Sequence, residues 1–394
     1  MSDLAILGAA PAFSERVPIT RPTLVPYEEM AGDIKTVVES GILTNGPRVA
    51  AFEAEASAYL GVPYAVALSS CTSGLMLTLR CLGLQGEVIL PSFTFVATAL
   101  SVIWNGLTPV FVDSDYATHN IDPIQAEAAV TPRTSAIIAT YIFGNPPRLG
   151  ELEEIAAAHD LKFVLDAAHA FGAVRQGRTC GGYGDAEVMS LTPTKLLVAG
   201  EGGLVTTRHK ELADALKLAR NYGSPPDYDT SIVGLNARMP EINAVIASKN
   251  LARFPERLKL RQELVARYKA RLANVAGMEF QVVEKGSLCT YKDFSILVDD
   301  AHFGLTRDGL ARALAAENVE TRPYFSPPVH RQRAIAPYVP EGVDLPVTDL
   351  LAGRALSLPL YSHMDVKVVD AIADLIVRIH EQRDAVRVAI SAKM

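Results

Sequence analysis

Through the first two-thirds of the chain, short apolar runs alternate with segments whose apolar residues recur at helical spacing. The runs Tyr64–Leu68, Glu87–Leu90, Thr108–Asp113, Ser135–Tyr141, Lys162–Asp166, Glu187–Ser190 and Gly203–Thr207 read as strands. Several are continuous in Val, Ile and Leu instead of alternating with polar residues, as strands covered on both faces should be. Between them, Thr72–Cys81, Asp122–Ala129, Leu149–His159 and Lys210–Asn221 carry the helical pattern. The alternation predicts an α/β domain with a mostly parallel central sheet flanked by helices. From Met239 onward the periodic segments lengthen, with helices over 240–251 and 256–272 separated at Pro255, where a missing N–H interrupts the run. A strand over 293–298, a helix over 306–317 and a closing helix over 365–388 then predict a smaller C-terminal α+β domain. The expected division is a Pro-rich segment 1–25 lying across a domain surface or a partner subunit, a large domain 26–250, and a small domain 251–394.

A chain of 394 residues with 49% hydrophobic and 21% charged residues has the makings of a soluble two-domain protein. Its net charge of −7 argues against nucleic acid or an anionic membrane as a partner. Cys71, Cys81, Cys180 and Cys289 form no C-x-x-C pair and have no histidine at zinc spacing, so they read as reduced thiols and no metal site is expected. The start, Met-Ser-Asp-Leu-Ala-Ile-Leu, carries an acid where a secretory signal needs positive charge. No charge-free apolar stretch of roughly 18 residues occurs. The expected location is the cytoplasm.

Ligands of an open α/β sheet sit at the carboxyl ends of its strands, and several chemistry-bearing residues fall there. Asp166 closes the run Lys162-Phe-Val-Leu-Asp166 and is followed by Ala-Ala-His169. Lys195 ends Met189-Ser-Leu-Thr-Pro-Thr-Lys195, just before Ala199-Gly-Glu-Gly-Gly203. An amine held between two apolar runs has its pKa lowered by desolvation, which suits imine formation and proton transfer. A lysine and an aspartate at strand ends are what a pyridoxal phosphate (PLP) site needs: the amine binds the aldehyde and the carboxylate keeps the pyridine nitrogen protonated. Most lysines are solvated and Thr-Pro-Thr-Lys195 fits an exposed turn, but the flanking apolar runs and Gly202-Gly203 tip the balance toward a buried amine.

The turn Ser69-Ser-Cys-Thr-Ser-Gly74 joins a strand to a helix through small hydroxylated residues. It is an ordinary N-cap or, in company with Lys195 and Asp166, a phosphate cradle to which Thr72 and Ser73 add hydroxyls. Ser190 is either bonded to local backbone or turned toward the same phosphate. His169 is either structural or set beside the ring. In Pro91-Ser-Phe-Thr-Phe95, Phe93 reads as core, and Phe95 as core or as a stacking face for a flat heterocycle.

The ordered set of motifs resembles the DegT-type sugar aminotransferases, fold-type-I PLP enzymes acting on keto sugars attached to nucleotides. It comprises Leu43-Thr-Asn-Gly-Pro47, Ser70-Cys-Thr-Ser-Gly74, Pro91-Ser-Phe-Thr-Phe-Val-Ala-Thr98, Pro109-Val-Phe-Val-Asp113 and Asp166-Ala-Ala-His-Ala170. It continues through Pro193-Thr-Lys195, Gly200-Glu-Gly-Gly203, Asn236-Ala-Arg-Met239 with Glu241, and Arg322-Pro-Tyr-Phe-Ser-Pro327 with His330. The resemblance implies that Lys195 is the imine-forming lysine and Asp166 the partner of the pyridine nitrogen. It implies that His169 contacts the ring oxygen, Phe95 stacks on the ring, and Thr72, Ser73 and Ser190 hold the phosphate. Asn236 corresponds to an asparagine that reaches the phosphate of the neighbouring subunit, so a homodimer with composite active sites is implied. Tyr324, Phe325 and His330 lie in a loop similar to one lining the sugar pocket. Two positions depart from the pattern: Cys71 stands where glycine is usual, and Leu196 where asparagine is common. Dehydratases of the same family carry histidine in place of the lysine, so Lys195 favours transamination.

The runs Asp166-Ala-Ala-His-Ala170, Gly184-Asp-Ala-Glu-Val188 and Tyr324-Phe-Ser-Pro327 are similar to those of members that aminate dTDP-4-keto-6-deoxyglucose at C4, with L-glutamate as donor. A 3-keto sugar or inosose aminotransferase would share every catalytic residue. A PLP-fold sensor without turnover is opposed by the intact Lys195, Asp166 and Ser190. A nucleotide-sugar dehydrogenase or epimerase would need a G-x-G-x-x-G turn after an early strand, and the chain has none.

Overall fold

Seven strands form one sheet in the computed structural model, which describes residues 4–224 and 229–392. They are β1 (Tyr64–Leu68), β2 (Glu87–Pro91), β3 (Thr108–Val112), β4 (Thr134–Thr140) and β5 (Lys162–Asp166), followed, after a small hairpin of β6 (Val174–Arg175) and β7 (Arg178–Thr179), by β8 (Ala186–Ser190) and β9 (Gly203–Thr207). Across the sheet the order is β1-β9-β8-β5-β4-β2-β3. β9 is antiparallel to both of its neighbours, and the remaining pairs are parallel.

The continuous apolar runs follow from the period of two along a strand. Ala65 and Ala67, Ile89, Ile137 and Ala139, Phe163 and Leu165, and Met189 face one core. Their alternates Val66 and Leu68, Val88 and Leu90, Ala136 and Ile138, Val164, and Val188 face the other. Each fully buried Val, Leu or Ile contributes about 1.5–3 kcal/mol, so both faces hold the sheet in place. Because β1, β2, β4, β5 and β8 run in one direction, the loops at their carboxyl ends converge on a single edge.

The second sheet is antiparallel, in the order β10 (Met278–Phe280), β11 (Phe294–Val298), β12 (Ala355–Leu358). Phe294, Ile296 and Val298 of β11 face a core of their own with Leu310, Ile372 and Ile376. Leu297, on the opposite face, joins Phe93, Phe143 and Phe325 beside the edge of the large sheet. Helix Phe254–Leu272 ties the two bodies together: Phe254 and Leu258 belong to the large core, and Leu264, Tyr268 and Leu272 to the small one. Residues 4–19 pack on the small body, and Val25 packs on the large one beside Met30 and Val245. Leu4, Ile6 and Val17 enter the small core, and the N–H groups of Ala5 and Ala12 donate to Glu317 at 2.8 and 2.7 Å.

Some boundaries differ from the sequence reading. Pro255 lies inside the first turn of helix Phe254–Leu272, where its missing N–H would be unpaired in any case. The closing helix is two helices, Val366–Glu381 and Arg383–Ser391, that meet at Gln382. Helix Pro47–Leu60 has no side-chain cap from its own segment. The carboxylate of Glu241 supplies one, accepting from the N–H groups of Gly46, Arg48 and Val49 at 2.9, 2.8 and 3.0 Å. With the cap drawn from so far along the chain, the local start signal is reduced to Pro47 in the first turn.

Candidate active site

A cavity of about 320 Å³ opens at the carboxyl edge of the large sheet. Asp166, the last residue of β5, enters it while only 7% exposed. Its Oδ2 accepts from Thr98 Oγ1 at 2.7 Å and its Oδ1 from the Ala168 N–H at 3.2 Å. Desolvation pushes this carboxyl above its ordinary range, while the two hydrogen bonds and the charge of Lys195 pull the other way. The result is a buried acceptor in need of a protonated partner.

Lys195 arrives from the loop that turns β8 back into β9. The Lys195 N–H donates to Thr192 O at 3.0 Å, and Ala199 N–H to Leu191 O at 2.8 Å. The buried run Leu196–Ala199 anchors the loop in the large core, Leu196 included, so no polar partner is needed there. Desolvation, and then the positive charge of Lys292, bring the Lys195 amine down to about 8. About a tenth of it is therefore free base, and nucleophilic, at pH 7, far more than for an ordinary lysine.

The turn after β1 faces the same space. Ser70 caps helix Cys71–Cys81 by accepting from the Ser73 N–H at 3.1 Å, and Ser70, Cys71 and Thr72 line the cavity. Cys71 is the first helical residue and sends its Sγ toward Val188 O, so this backbone does not require glycine. Gly203 is the residue that cannot carry a side chain. A Cβ there would sit 2.6 Å from Cys71 N and closer still to the Ser70 carbonyl, across the β1–β9 contact.

Thr72, Phe95, Asp166, His169, Ser190, Lys195, Tyr324 and Phe325 all line this one cavity. Phe95 is exposed within it, whereas Phe93 is fully buried among Phe143 and Phe325. Desolvation and the cations Lys195, Lys292 and Arg261 hold the His169 pKa well below its usual value, so the imidazole is neutral. Three sequence candidates lie outside the wall. Ser73 Oγ donates back to Ser70 O at 2.9 Å. His330 is buried behind the wall, its Nδ1 2.7 Å from Ser92 Oγ and its N–H donating to the same oxygen at 2.9 Å. Asn236 sits on the exposed outer surface, where its Oδ1 accepts from Arg238 Nε at 3.1 Å.

The donor set fits pyridoxal phosphate: an amine for the aldehyde, a buried carboxylate for the ring nitrogen, a helix N-terminus for the phosphate and an aromatic face for the ring. Thr140 Oγ1, buried in the same wall with no partner, adds a polar atom that only a ligand or water would satisfy. The sequence reading did not single out Thr98, Thr140, Tyr141, Lys292 or Asp293. Thr140 ends β4 and Tyr141 follows it, so both were open to the strand-end rule. Lys292 and Asp293 come from the small body and carry no such signal.

Residues 26–377 match the model of the DegT/DnrJ/EryC1/StrS aminotransferase family. The chain is 34% identical over 366 residues to dTDP-3-amino-3,4,6-trideoxy-alpha-D-glucose transaminase of Streptomyces venezuelae, covering 90% of this chain and 95% of the relative. It is 32% identical over 359 residues to dTDP-4-amino-4,6-dideoxy-D-glucose transaminase of Shigella dysenteriae, covering 91% and 97%. Among solved structures, DesI in the presence of its TDP-sugar product superposes with a TM-score of 0.93 at 35% identity, over 100% of this chain and 99% of that one.

Proposed function

The chain belongs to the DegT/DnrJ/EryC1/StrS aminotransferase family, a family of pyridoxal-phosphate-dependent sugar aminotransferases, and from this premise we propose its reaction. It transfers the amino group of L-glutamate to C4 of dTDP-4-keto-6-deoxyglucose. The observation that carries the transaminase reading is the shared cavity of Lys195 and Asp166, with the amine lowered to about 8 and the carboxylate held by Thr98. The nucleotide-sugar substrate is supported by the full-length similarity to DesI, solved with its TDP-sugar product, and the 4-keto position by the Shigella relative.

Bound pyridoxal phosphate supplies a ring that takes up the electron pair left when the donor Cα–H bond breaks. The Lys195 amine, once free, takes the proton from the donor Cα and returns it on the far side of the transfer. Asp166, fixed by Thr98 Oγ1 and the Ala168 N–H, holds a proton at the pyridine nitrogen. The start of helix Cys71–Cys81, with Thr72 and Ser190, receives the phosphate. Phe95, Tyr324 and Phe325 line the cavity; Phe95 would stack on the ring, and Tyr324 and Phe325 would border the sugar.

Asn236 lies on a surface that also exposes Tyr222 and Val233, at 52% and 73%. Large apolar residues so exposed are suited to a second copy of the chain, which supports a homodimer in which Asn236 reaches the partner's phosphate. The four free cysteines fit a cytoplasmic setting, and among the described residues no helix is long and apolar enough to cross a membrane.

A second reading, amination at C3, is favoured by the Streptomyces relative. The deciding experiment gives the purified enzyme L-glutamate with dTDP-4-keto-6-deoxyglucose or with a 3-keto sugar nucleotide, and locates the new C–N bond by NMR. An amine at C4 supports the proposal; turnover of the 3-keto sugar nucleotide alone overturns it.

A further inference from the structure

Only two cationic side chains line the cavity among the described residues, Lys195 and Lys292. The first is committed to the cofactor. Lys292 is 6% exposed and Asp293 5%, and the Lys292 ammonium donates to both oxygens of its neighbour's carboxylate at 2.8 and 3.0 Å. The same Nζ lies 5.4 Å from the ring centroid of Tyr324, another wall residue. The pair is locked to the large body: Lys292 N–H donates to Phe143 O at 2.8 Å, Thr290 N–H to Gly144 O at 3.1 Å, and Thr290 Oγ1 to the His169 carbonyl.

Resting on the transaminase reading, we propose that Lys292 is the substrate-positioning residue that anchors the α-carboxylate of the amino donor, with Asp293 holding its ammonium in place between turnovers. An ammonium has three donors, and Asp293 engages two of them, leaving one for an incoming carboxylate. Location selects the amino acid over the nucleotide. An α-carboxylate hangs on the carbon that bears the migrating nitrogen, so it must dock close to Lys195. A nucleotide's diphosphate is separated from the reacting carbon by the sugar ring. The charge of Lys292 is the largest influence on Lys195 after desolvation, which places the two amines in the same neighbourhood.

The test compares holoenzyme with its Lys292→Gln, Lys292→Arg and Asp293→Asn variants. Calorimetry measures binding of glutarate, an unreactive dicarboxylate, and the two half-reactions are followed separately. Lys292→Gln is expected to weaken glutarate and raise the L-glutamate KM about tenfold or more, while the keto-sugar KM moves far less. Lys292→Arg recovers most of the loss, and Asp293→Asn, which removes the competing carboxylate, binds glutarate more tightly. Unchanged glutarate binding in Lys292→Gln overturns the inference, as does an Asp293→Asn variant that loses glutarate or a parallel fall in both half-reactions. If Lys292→Gln does not fold, the opposed expectations for Lys292→Arg and Asp293→Asn decide. A parent enzyme that converts no amino acid overturns the transaminase reading and the anchor with it. A parent that reacts, with variants that match it, overturns the anchor alone.

Discussion

The two walls of the cavity are made in different ways. On the wall built from the large sheet, each functional side chain stands at a strand end or just past it: Asp166 on β5, Ser190 on β8, Thr72 after β1, Phe95 after β2. Their positions follow from strand direction and from a core that clamps both sheet faces. The opposite wall, Lys292, Asp293, Tyr324 and Phe325, comes from the small body. It is held in place by stitches such as Thr290 Oγ1 to the His169 carbonyl, and by Leu297 packing on Phe93 and Phe325. The first wall is suited to a cofactor that stays; the second suits substrates that alternate, since its contacts can shift without disturbing the sheet.

That contrast makes distinct demands on each wall. Lys195→Ala is expected to cut turnover by about 10²–10⁴-fold or more, while the remaining strand-end groups still hold the cofactor; absorbance of the dialysed variant and steady-state assays check both. With the Lys195 amine at about 8, cofactor uptake by the apoenzyme should slow about tenfold for each pH unit below that value, since only the unprotonated amine attacks. Uptake followed by absorbance between about pH 6 and 9 gives the midpoint, and Lys292→Gln should move it upward because a neighbouring positive charge is lost. Gly203→Ala forces β9 away from the Ser70–Cys71 backbone. It should cost about 1–3 kcal/mol, read as a lower Tm and a faster loss of cofactor. Thr290→Val, nearly isosteric at a fully buried position, leaves the His169 carbonyl without its donor. It should cost about 1 kcal/mol and raise the L-glutamate KM more than it loosens the cofactor. Equal loosening of both would mean that the two walls are one unit.

How far each wall was readable follows from the same difference. The α/β alternation and the strand ends of the large sheet were legible, and so was the strand-end position of Lys195 and Asp166; the residues alone left His169 and Phe95 open, and only the family resemblance put them beside the ring. Ser73 was plausible by spacing, but a helix places adjacent residues about 100° apart, and its hydroxyl turns back to Ser70 O. His330 shares the motif of Tyr324 and Phe325, yet it is recruited by Ser92 behind the wall. The helix Pro47–Leu60 was not read although Pro47 opens it, since its side-chain cap is the distant Glu241.

What the sequence by itself determined is the part governed by local period. Alternate residues of each strand must feed opposite cores, so apolar runs mark the strands, and their ends mark one edge where an amine and a carboxylate could meet. Only the tertiary structure decided that Lys292 and Asp293 close the far side, that Gly203 must pass bare against Ser70, and that His330 faces away. Those outcomes depend on which distant segments come to share a surface. That is settled by packing two cores against each other, and no spacing along the chain encodes it.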